Sequence, residues 1–165
     1  GVHKLPVIIM VENNHYAISV PVELQLACEK VSDRAIGYGM PGVTVDGTNP
    51  LAVYRVVKEA AERAHRGEGP SLIETLTYRL TAHSSDDDQR QYRTAEDIEE
   101  GFIKDPIHLF ENYLREQGVA TDDVLTEINE RVMAEVNDAT EYAEAAPYAK
   151  AEDLYRHVYA EEGES

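Results

Sequence analysis

The sequence predicts an α/β fold, part of a doubly wound parallel sheet, followed by a helical carboxyl-terminal region. Over residues 1–93, short apolar segments of strand length alternate with a helical pattern and polar links. Over residues 94–165, helical patterns follow one another without a further strand signal. We therefore expect two regions: an α/β domain (1–93), and a helical region (94–165) that packs on it or on a partner subunit.

The first predicted strand is the apolar run at residues 7–11, and two asparagines, Asn13 and Asn14, follow it closely. A continuous apolar run suits a strand that is buried on both faces of a parallel sheet. Asparagine tolerates left-handed backbone angles and offers a side-chain oxygen, so the pair predicts a sharp turn at the carboxyl end of the strand. That end is where open α/β sheets bind ligands. An Asn-Asn pair by itself is nevertheless most often an ordinary turn.

A strand, a helix and a further strand follow with short links. Residues 43–45 are a short strand candidate. Asn49 and Pro50 predict a helix start, with asparagine as the cap and proline at the first helical position, and Gly67 predicts the end of that helix. Residues 71–78 are the next predicted strand. This order is the βαβ unit of a parallel sheet.

Capping residues predict three helices in the second region. Thr94 opens a capping box, Asp105 precedes a proline at the first helical position, and Thr121 precedes a long apolar stripe at helical spacing. The stripe consists of Leu125, Ile128, Val132, Val136, Ala139 and Ala143. The sequence leaves open whether this stripe is buried within the chain or against another subunit. Pro147 predicts the end of the helix, and residues 152–159 predict a last short one.

Composition excludes several classes of function. The chain of 165 residues is long enough for one domain with a real core. It carries 15 basic and 32 acidic residues, a net charge of −17, which argues against a surface for nucleic acid or an anionic membrane. Cys28 is the single cysteine, so no disulfide forms within the chain and a reducing cytosol is the natural compartment. No apolar run approaches the length of a membrane span.

The second informative segment, residues 77–93, is polar and charged and includes the end of the last predicted strand. It predicts a surface loop at the same carboxyl edge of the sheet as the Asn-Asn turn. The His-Ser-Ser-Asp run at residues 83–86 is no catalytic triad, because residues adjacent in sequence rarely form one. We expect Arg79 and Arg93 to pair with the carboxylates of residues 86–88 and so to hold the loop in shape.

Both segments resemble one family. Val-Glu-Asn-Asn-His-Tyr-Ala-Ile-Ser, residues 11–19, resembles the second half of the thiamin-diphosphate motif, which opens with Gly-Asp-Gly and closes with Asn-Asn. It is similar to the alpha subunit of the decarboxylating component of 2-oxo acid dehydrogenase complexes, and within that group to the branched-chain enzymes. Tyr-Arg-x-x-x-His-Ser-x-x-Asp followed by Tyr-Arg, within residues 78–93, resembles the ordered loop of the same subunits.

The resemblance implies roles for four residues. The side-chain oxygen of Asn14 and the backbone carbonyl of Tyr16 would bind Mg2+, and Asn14, Tyr16, Ile18 and His83 would contribute to a thiamin-diphosphate site. Mg2+ prefers oxygen ligands in octahedral geometry, and a neutral amide and a carbonyl add no negative charge beside a diphosphate. His83 is the implied catalytic residue, because an imidazole can donate a proton or contact a phosphate. Ser84 corresponds to a phosphorylation site of mitochondrial relatives, but the Asp-rich loop is compatible with an unmodified bacterial type, which we favour.

Two features depart from the family pattern. The Gly-Asp-Gly half of the motif lies upstream of the first strand in this family and is absent here. We therefore expect the chain to be the carboxyl-terminal part of a longer subunit, with half of the metal site and no activity alone. Glu12 stands where mitochondrial branched-chain relatives carry an arginine that contacts cofactor phosphate, and where the pyruvate enzymes carry glutamate. This difference weakens the choice of substrate.

The resemblance implies oxidative decarboxylation of a branched-chain 2-oxo acid, with acyl transfer to the lipoyl group of an acyltransferase component. The implied partners are that acyltransferase and a beta subunit, in a two-alpha, two-beta assembly; nucleic acid and membrane are not expected. The implied location is the cytoplasm, in a bacterial type of enzyme. One alternative keeps the chemistry but takes pyruvate or another small 2-oxo acid. An alternative of another class is a non-catalytic fragment with an assembly role.

Overall fold

The computed structural model of the protein describes residues 1–156 and residue 158, a mixed α/β chain. Its strands are β1 (Ile8–Asn13), β2 (Tyr16–Ala17), β3 (Val20–Pro21), β4 (Gly42–Asp46) and β5 (Ser71–Leu76). Its α-helices are α1 (Pro50–His65), α2 (Ala95–Ile103), α3 (Pro106–Glu116) and α4 (Asp122–Ala145). Short 3-10 helices cover Val22–Leu24, Val31–Tyr38, Gln89–Gln91 and Ala151–Tyr155.

Strands β1, β5 and β4 form a three-stranded parallel sheet with β5 in the middle. Ile8 of β1 lies opposite Ser71 of β5, and Gly42 of β4 lies opposite Leu72. Helix α1 supplies the crossover that joins the parallel strands β4 and β5. The predicted α/β fold with a parallel sheet is therefore confirmed. Strands β2 and β3 form a separate antiparallel hairpin.

Burial in the sheet is concentrated on β5, where five successive residues from Ser71 to Thr75 are buried. In β1, by contrast, Ile9 is 41% exposed and Met10 is 46% exposed. The prediction that the first strand is buried on both faces is therefore wrong for this chain. In the described residues β1 pairs along a single edge, with β5. An apolar run in the sequence identifies a strand, but the position of that strand in the sheet decides which of its side chains are buried.

Helix α1 begins and ends as its sequence predicts. The side-chain oxygen of Asn49 accepts a hydrogen bond from the Ala52 N–H at 3.0 Å, and Pro50 occupies the first helical position. Gly67 follows the helix with φ of 72°, a left-handed angle that glycine adopts without a steric cost. This helix lies between β4 and β5 in the chain, and short links join it to the end of β4 and to the start of β5.

The three remaining α-helices are capped by the predicted residues. Thr94 accepts from the Asp97 N–H at 3.1 Å, and Thr121 accepts from the Val124 N–H at 3.4 Å. The Asp105 cap accepts from the N–H two residues further on, at 2.9 Å. Each cap satisfies a backbone donor that the first turn of a helix leaves without an internal partner.

The carboxyl-terminal part follows the predicted order of elements. Helix α4 spans 24 residues, with Leu125 buried and Ile128, Val132 and Val136 of the apolar stripe exposed. The last predicted helix, at residues 152–159, is a 3-10 helix at Ala151–Tyr155, and residues 157 and 159 lie outside the described residues. A 3-10 helix is common where a helical run is this short.

The chain divides into two compact units, Gly1–Val119 and Ala120–Ser165. The first contains the sheet and helices α1 to α3, and the second contains α4. The boundary expected at residues 93 and 94 stays a prediction about the domains of the protein. No helix in the described part of the chain is long and apolar enough to cross a membrane.

A buried carboxylate joins the elements around β5. Glu74 is 1% exposed. Its Oε1 accepts from the Asn13 amide at 2.8 Å, and its Oε2 accepts from the Ser32 N–H and the Thr44 hydroxyl, each at 3.0 Å. Burial alone would raise the pKa of Glu74, but these hydrogen bonds outweigh it and hold the pKa below its usual value. A single ionised side chain therefore ties β1, β4, β5 and the 3-10 helix Val31–Tyr38 together.

Replacing this carboxylate gives a test with a pH signature. We expect Glu74→Gln to lower the free energy of unfolding of the full-length protein by about 2 kcal/mol at neutral pH, because the amide repels one of the three donors. Since the folded pKa is lowered, the contribution of the charge is complete above the ordinary value of 4.5 and is lost as the pH falls through the lower folded pKa. Urea unfolding on both sides of this pH measures the difference.

The exposed Glu59 on α1 provides the matched control. Glu59→Gln should change the free energy of unfolding by less than about 0.5 kcal/mol. An equal loss in the Glu74→Gln variant at neutral and at acidic pH would show that the ionised form makes no special contribution.

Candidate functional site

The two informative segments meet at the carboxyl edge of the sheet, as predicted. The N–H of Thr77, just after β5, donates to the carbonyl of Asn13 at the end of β1, at 2.9 Å. The His15 and Tyr78 rings lie 5.9 Å apart between centroids. The Asn-Asn turn and the loop that follows β5 therefore leave the sheet side by side.

The two asparagines of the turn have different tasks. Asn13 accepts from the His15 N–H at 3.0 Å while its amide donates to the buried Glu74. Asn14 accepts from the Tyr16 N–H at 3.1 Å. The predicted turn is present, but its left-handed residue is His15, with φ of 67°, and not an asparagine. Each asparagine side chain accepts from the backbone N–H two residues further along the chain. His15, which lies between Asn14 and Tyr16, takes the left-handed angle.

The carbonyl of Tyr16 is turned away from the partner strand of its hairpin. Tyr16 lies opposite Pro21, which has no N–H to donate. The N–H of Val22 donates to the His15 carbonyl at 2.9 Å, which makes Tyr16 and Pro21 a non-hydrogen-bonded pair. The Tyr16 carbonyl and the Asn14 side-chain oxygen, which has a second lone pair, can therefore serve as neutral oxygen ligands.

An open cleft of about 240 Å³ lies beside this turn. The side chains that line it include Asn14, His15, Tyr16, Tyr78, Arg93 and Asp97. Two further carboxylates, Glu23 and Glu100, also line the cleft, so that together with Asp97 three carboxylates lie beside the single guanidinium of Arg93. Within the described residues, no group of three or more His, Cys, Asp or Glu side chains is arranged to hold a metal ion. The neutral oxygens of Asn14 and Tyr16 fit a hard cation whose remaining oxygen ligands come from another bound molecule.

Lys104 bridges two of the side chains that line the cleft, Tyr78 and Glu100. The Lys104 ammonium donates to the Glu100 carboxylate at 2.5 Å and to the Tyr78 hydroxyl at 2.7 Å. These hydrogen bonds raise the pKa of Lys104 above its usual value. The ammonium also lies 4.8 Å from the centre of the Tyr78 ring, within the range of a cation–π contact. Helix α2 is thereby joined to the segment after β5.

The loop after β5 is held by different partners from those predicted. Arg93 pairs with Asp97 on α2, between Nε and Oδ2 at 2.6 Å, and not with the carboxylates at residues 86–88. Arg79 donates to the Tyr92 hydroxyl at 2.6 Å, and that hydroxyl donates in turn to Asp87. The predicted pairing of Arg93 is therefore wrong, and Arg79 reaches a carboxylate only through Tyr92. Asp97 lies in the first turn of α2, and the placement of that turn brings its carboxylate against the Arg93 guanidinium.

Asp87 shapes the part of the loop that carries His83. Its carboxylate accepts from the His83 backbone N–H at 2.9 Å and from the Tyr92 hydroxyl, and these bonds lower its pKa. The Asp87 N–H returns a bond to the Ser84 carbonyl at 3.2 Å. His83 and Ser84 are exposed. The loop therefore presents the His83 side chain to solvent from a backbone that is fixed at its base.

The predicted site residues are only partly brought together. Asn14 and Tyr16 share one cleft and one hydrogen bond. Ile18 lies at the tip of the hairpin, 55% exposed, with a positive φ of 57°, and it does not line the cleft. His83 also lies outside the lining, on the neighbouring loop. The roles proposed for these four residues stay predictions.

Sequence reasoning missed Glu74 and Asp97, both of which hold the site in place. A signal existed for the first, because a glutamate inside the apolar strand Ser71–Leu76 must find hydrogen-bond partners when it is buried. A weaker signal existed for Asp97, which lies four residues after Arg93 near a helix start. The prediction instead paired Arg93 with the three carboxylates of residues 86–88, which precede it in the same loop.

The fold and the cleft define the chain as an α/β protein with a candidate ligand site at the carboxyl edge of its parallel sheet. Residues 1–152 match the family described as Dehydrogenase E1 component. The chain therefore belongs to the dehydrogenase E1 component family, which confirms the resemblance drawn from the two motifs.

Individual relatives agree with this assignment. The chain is 59% identical over 160 residues to the 2-oxoisovalerate dehydrogenase subunit alpha of Bacillus subtilis (strain 168), covering 97% of this chain and 48% of the relative. It is 43% identical to the pyruvate dehydrogenase E1 component subunit alpha of the same organism, covering 96% and 43%. It is 40% identical to the 3-methyl-2-oxobutanoate dehydrogenase subunit alpha of Mycobacterium tuberculosis (strain CDC 1551 / Oshkosh), covering 98% and 44%. The chain thus spans about half the length of the curated relatives it matches.

The left-handed angle of His15 can be tested by a pair of substitutions. His15→Gly and His15→Ala both remove the ring, but only alanine keeps the steric cost of a positive φ. We expect the glycine variant of the full-length protein to be more stable than the alanine variant by about 1 kcal/mol in urea unfolding. Gly39 has the same φ of 67° and open space around its Cβ position, so Gly39→Ala should show a similar loss. An alanine variant as stable as the glycine variant would contradict the assigned geometry.

Proposed function

We propose that the chain forms the carboxyl-terminal part of the alpha subunit of a thiamin-diphosphate-dependent 2-oxo acid dehydrogenase that acts on branched-chain substrates. The observation that carries the proposal is the hairpin at the sheet edge, in which Asn14 and Tyr16 line one cleft and the Tyr16 carbonyl is turned away from β3. The 59% identity to a 2-oxoisovalerate dehydrogenase subunit alpha supports the branched-chain substrate over pyruvate, for which the identity is 43%.

The cation and the cofactor would be held by neutral groups of this chain. Asn14 and Tyr16 would contribute two oxygens to Mg2+, and the diphosphate would supply others. Ile18, exposed on the hairpin tip, would contact the cofactor, and His83 would reach it from the loop. When bound, thiamin diphosphate supplies the carbon centre that stores the electron pair released as CO2 leaves the 2-oxo acid.

The task of His83 would be to hold or deliver a proton near the reacting atoms. Its backbone N–H is fixed by Asp87, while its ring stays exposed and can turn toward a bound ligand. An imidazole can act as a proton donor or as a proton acceptor, which suits this task. The loop thus provides a fixed backbone and an adaptable side chain.

The proposal implies partners and a location. A subunit named alpha implies a beta subunit, and two of each would form the assembly. A lipoyl-bearing acyltransferase would receive the acyl group. The exposed face of α4, with Ile128 and Val132, could be covered in such an assembly. We place the protein in the cytoplasm, in keeping with its single cysteine and the bacterial relatives.

Substrate preference separates the proposal from its nearest alternative, a pyruvate dehydrogenase. Glu12 is the residue that favours this alternative, because the pyruvate enzymes carry glutamate at that position. We expect kcat/KM of the complete complex to be higher for 2-oxoisovalerate than for pyruvate by about 10-fold or more, because each methyl group buried in a matching pocket is worth about that factor. Steady-state decarboxylation by the native complex measures it. A clear preference for pyruvate would reject the branched-chain assignment and leave the E1 chemistry intact.

Removing the proposed cation ligand should weaken cation binding without unfolding the protein. We expect Asn14→Ala in the full-length subunit to reduce the affinity for Mg2+, measured by calorimetry with thiamin diphosphate present, on the order of 10-fold or more. Asn137→Ala, at an exposed position of α4, is the matched control and should bind as the unmodified protein does. Equal affinity in both variants would remove Asn14 from the cation site, and no binding by the native assembly would favour the non-catalytic assembly role.

The role of His83 predicts an effect on turnover. We expect His83→Ala in the complete complex to lower kcat by about 100-fold or more, the range for loss of a positioned proton donor. Thr81→Ala, at an exposed position two residues earlier in the same loop, should leave kcat within about 2-fold. A His83→Ala enzyme with unchanged kcat and an unchanged pH profile would assign the residue no part in the reaction.

A further inference from the structure

A second cavity lies at the carboxyl end of β4, and its volume is about 290 Å³. Its walls are formed by the turn after β4, by the start of α1 and by one face of α3. It shares no lining residue with the cleft beside Asn14. Small-molecule sites in proteins commonly have volumes of about 300 to 1,000 Å³, so this cavity suits a ligand at the small end of that range.

One wall of the cavity carries Asp46, the last residue of β4. Its Oδ1 accepts from the Thr48 N–H at 2.9 Å and from the Thr48 hydroxyl at 2.7 Å. The Gly47 N–H donates to the Leu76 carbonyl at 2.8 Å, and a Cβ at position 47 would lie 2.8 Å from that oxygen, so this close approach requires glycine. In the described part of the chain, no partner engages the second carboxylate oxygen of Asp46. The turn thus holds a fixed carboxylate with one oxygen to spare.

Arg55 of α1 supplies a positive charge to the same cavity. Other basic residues of this helix are paired, Lys58 with Glu62 and Arg63 with a carboxylate beyond the helix end. Among the residues that the structure describes, the guanidinium of Arg55 has neither an ion-pair nor a hydrogen-bond partner, and Asp46 does not pair with it. The cavity is therefore lined by two opposite charges that the fold keeps apart.

The rest of the lining is largely apolar. Leu51 lies one helical turn before Arg55, on the same face of α1. Leu109, Phe110 and Tyr113 of α3 line the cavity as well, and Leu109 is 43% exposed. The Phe110 and Tyr113 rings are stacked, with 6.0 Å between their centroids and 11° between their planes. A ligand that covers these side chains would remove apolar surface from water.

We propose that this cavity binds a free α-amino acid with an apolar side chain. The α-carboxylate would pair with Arg55, the α-ammonium would donate to the spare oxygen of Asp46, and the side chain would cover Leu51 and the stacked rings of α3. Hydrogen bonds between charged groups are the strong ones, and a zwitterion satisfies both charges of the cavity at once. A simple carboxylate or a simple amine would leave one of them without a partner. The inference does not rest on the proposed function.

Calorimetric titration of the native complex with L-leucine tests the proposal. We expect saturable binding of one molecule per alpha subunit. N-acetyl-L-leucine lacks the ammonium and L-leucinamide lacks the carboxylate, so each should bind more weakly than L-leucine by about 10-fold or more. L-alanine keeps both charges but lacks three apolar carbon atoms, and it should also bind more weakly by about 10-fold or more.

Two substitutions assign the charges to their residues. Asp46→Asn keeps an oxygen for Thr48 but removes the negative charge, and Arg55→Met keeps an unbranched side chain but removes the guanidinium. Each should weaken L-leucine binding by about 10-fold or more. Asp46→Asn should not weaken N-acetyl-L-leucine further, and Arg55→Met should not weaken L-leucinamide further, because each ligand already lacks the matching charge. Lys58→Met, at an exposed position of α1 outside the cavity lining, is the control and should bind L-leucine as the native complex does.

Several results would overturn the amino-acid site. The first is the absence of saturable L-leucine binding by the native complex, and the second is an equal loss of affinity in Arg55→Met and Lys58→Met. The third is competitive displacement of L-leucine by thiamin diphosphate with Mg2+, which would place the ligand in the cleft beside Asn14. If Asp46→Asn fails to fold, the comparison of L-leucine with N-acetyl-L-leucine on the native complex still tests the ammonium. None of these results decides whether the cleft binds the cofactor, so the proposed function stands or fails separately.

Discussion

The buried carboxylate of Glu74 is the constraint on which the rest of this structure depends. It is a charge in the middle strand of the sheet, and it is tolerated because Asn13, Ser32 and Thr44 all donate to it. Those donors come from three different elements, so satisfying one charge fixes the end of β1, the start of a 3-10 helix and the middle of β4 together. Removing any donor would leave a buried charge short of a partner, which is more costly than the bond itself.

Because Glu74 needs a donor from the turn, the two asparagines of the turn have different partners. Asn13 is committed to the interior through Glu74, and Asn14 is left at the surface of the cleft with an oxygen toward Tyr16. The same division recurs at the loop after β5, where Arg93 is buried and structural while His83 is exposed. At both places, a buried residue (Asn13 or Arg93) fixes the local backbone. The candidate functional residue (Asn14 or His83) therefore stays accessible on a well-defined backbone.

Local features could be predicted because the atoms that decide them are close in sequence. Asn49, Thr94, Asp105 and Thr121 cap their helices as expected, since each cap acts on an N–H two or three residues away. The loop arginines could not be assigned in the same way. Several carboxylates lie within reach of Arg93 along the chain, and the choice of Asp97 depends on how α2 is placed relative to the hairpin and Tyr16. The pairing of Arg79 through the Tyr92 hydroxyl likewise needs the loop to be folded back on itself.

By itself, the sequence determined the α/β class, the starts of the four α-helices, the turn after β1 and, through two motifs, the E1 family. Only the tertiary structure decided that β5 is the buried middle strand and β1 an exposed edge, that His15 takes the left-handed angle, and that Asn13 serves the core while Asn14 faces the cleft. The physical reason is distance along the chain. The bond from Asn13 to Glu74 joins residues 61 positions apart, and no local pattern records which strands will lie side by side to form it.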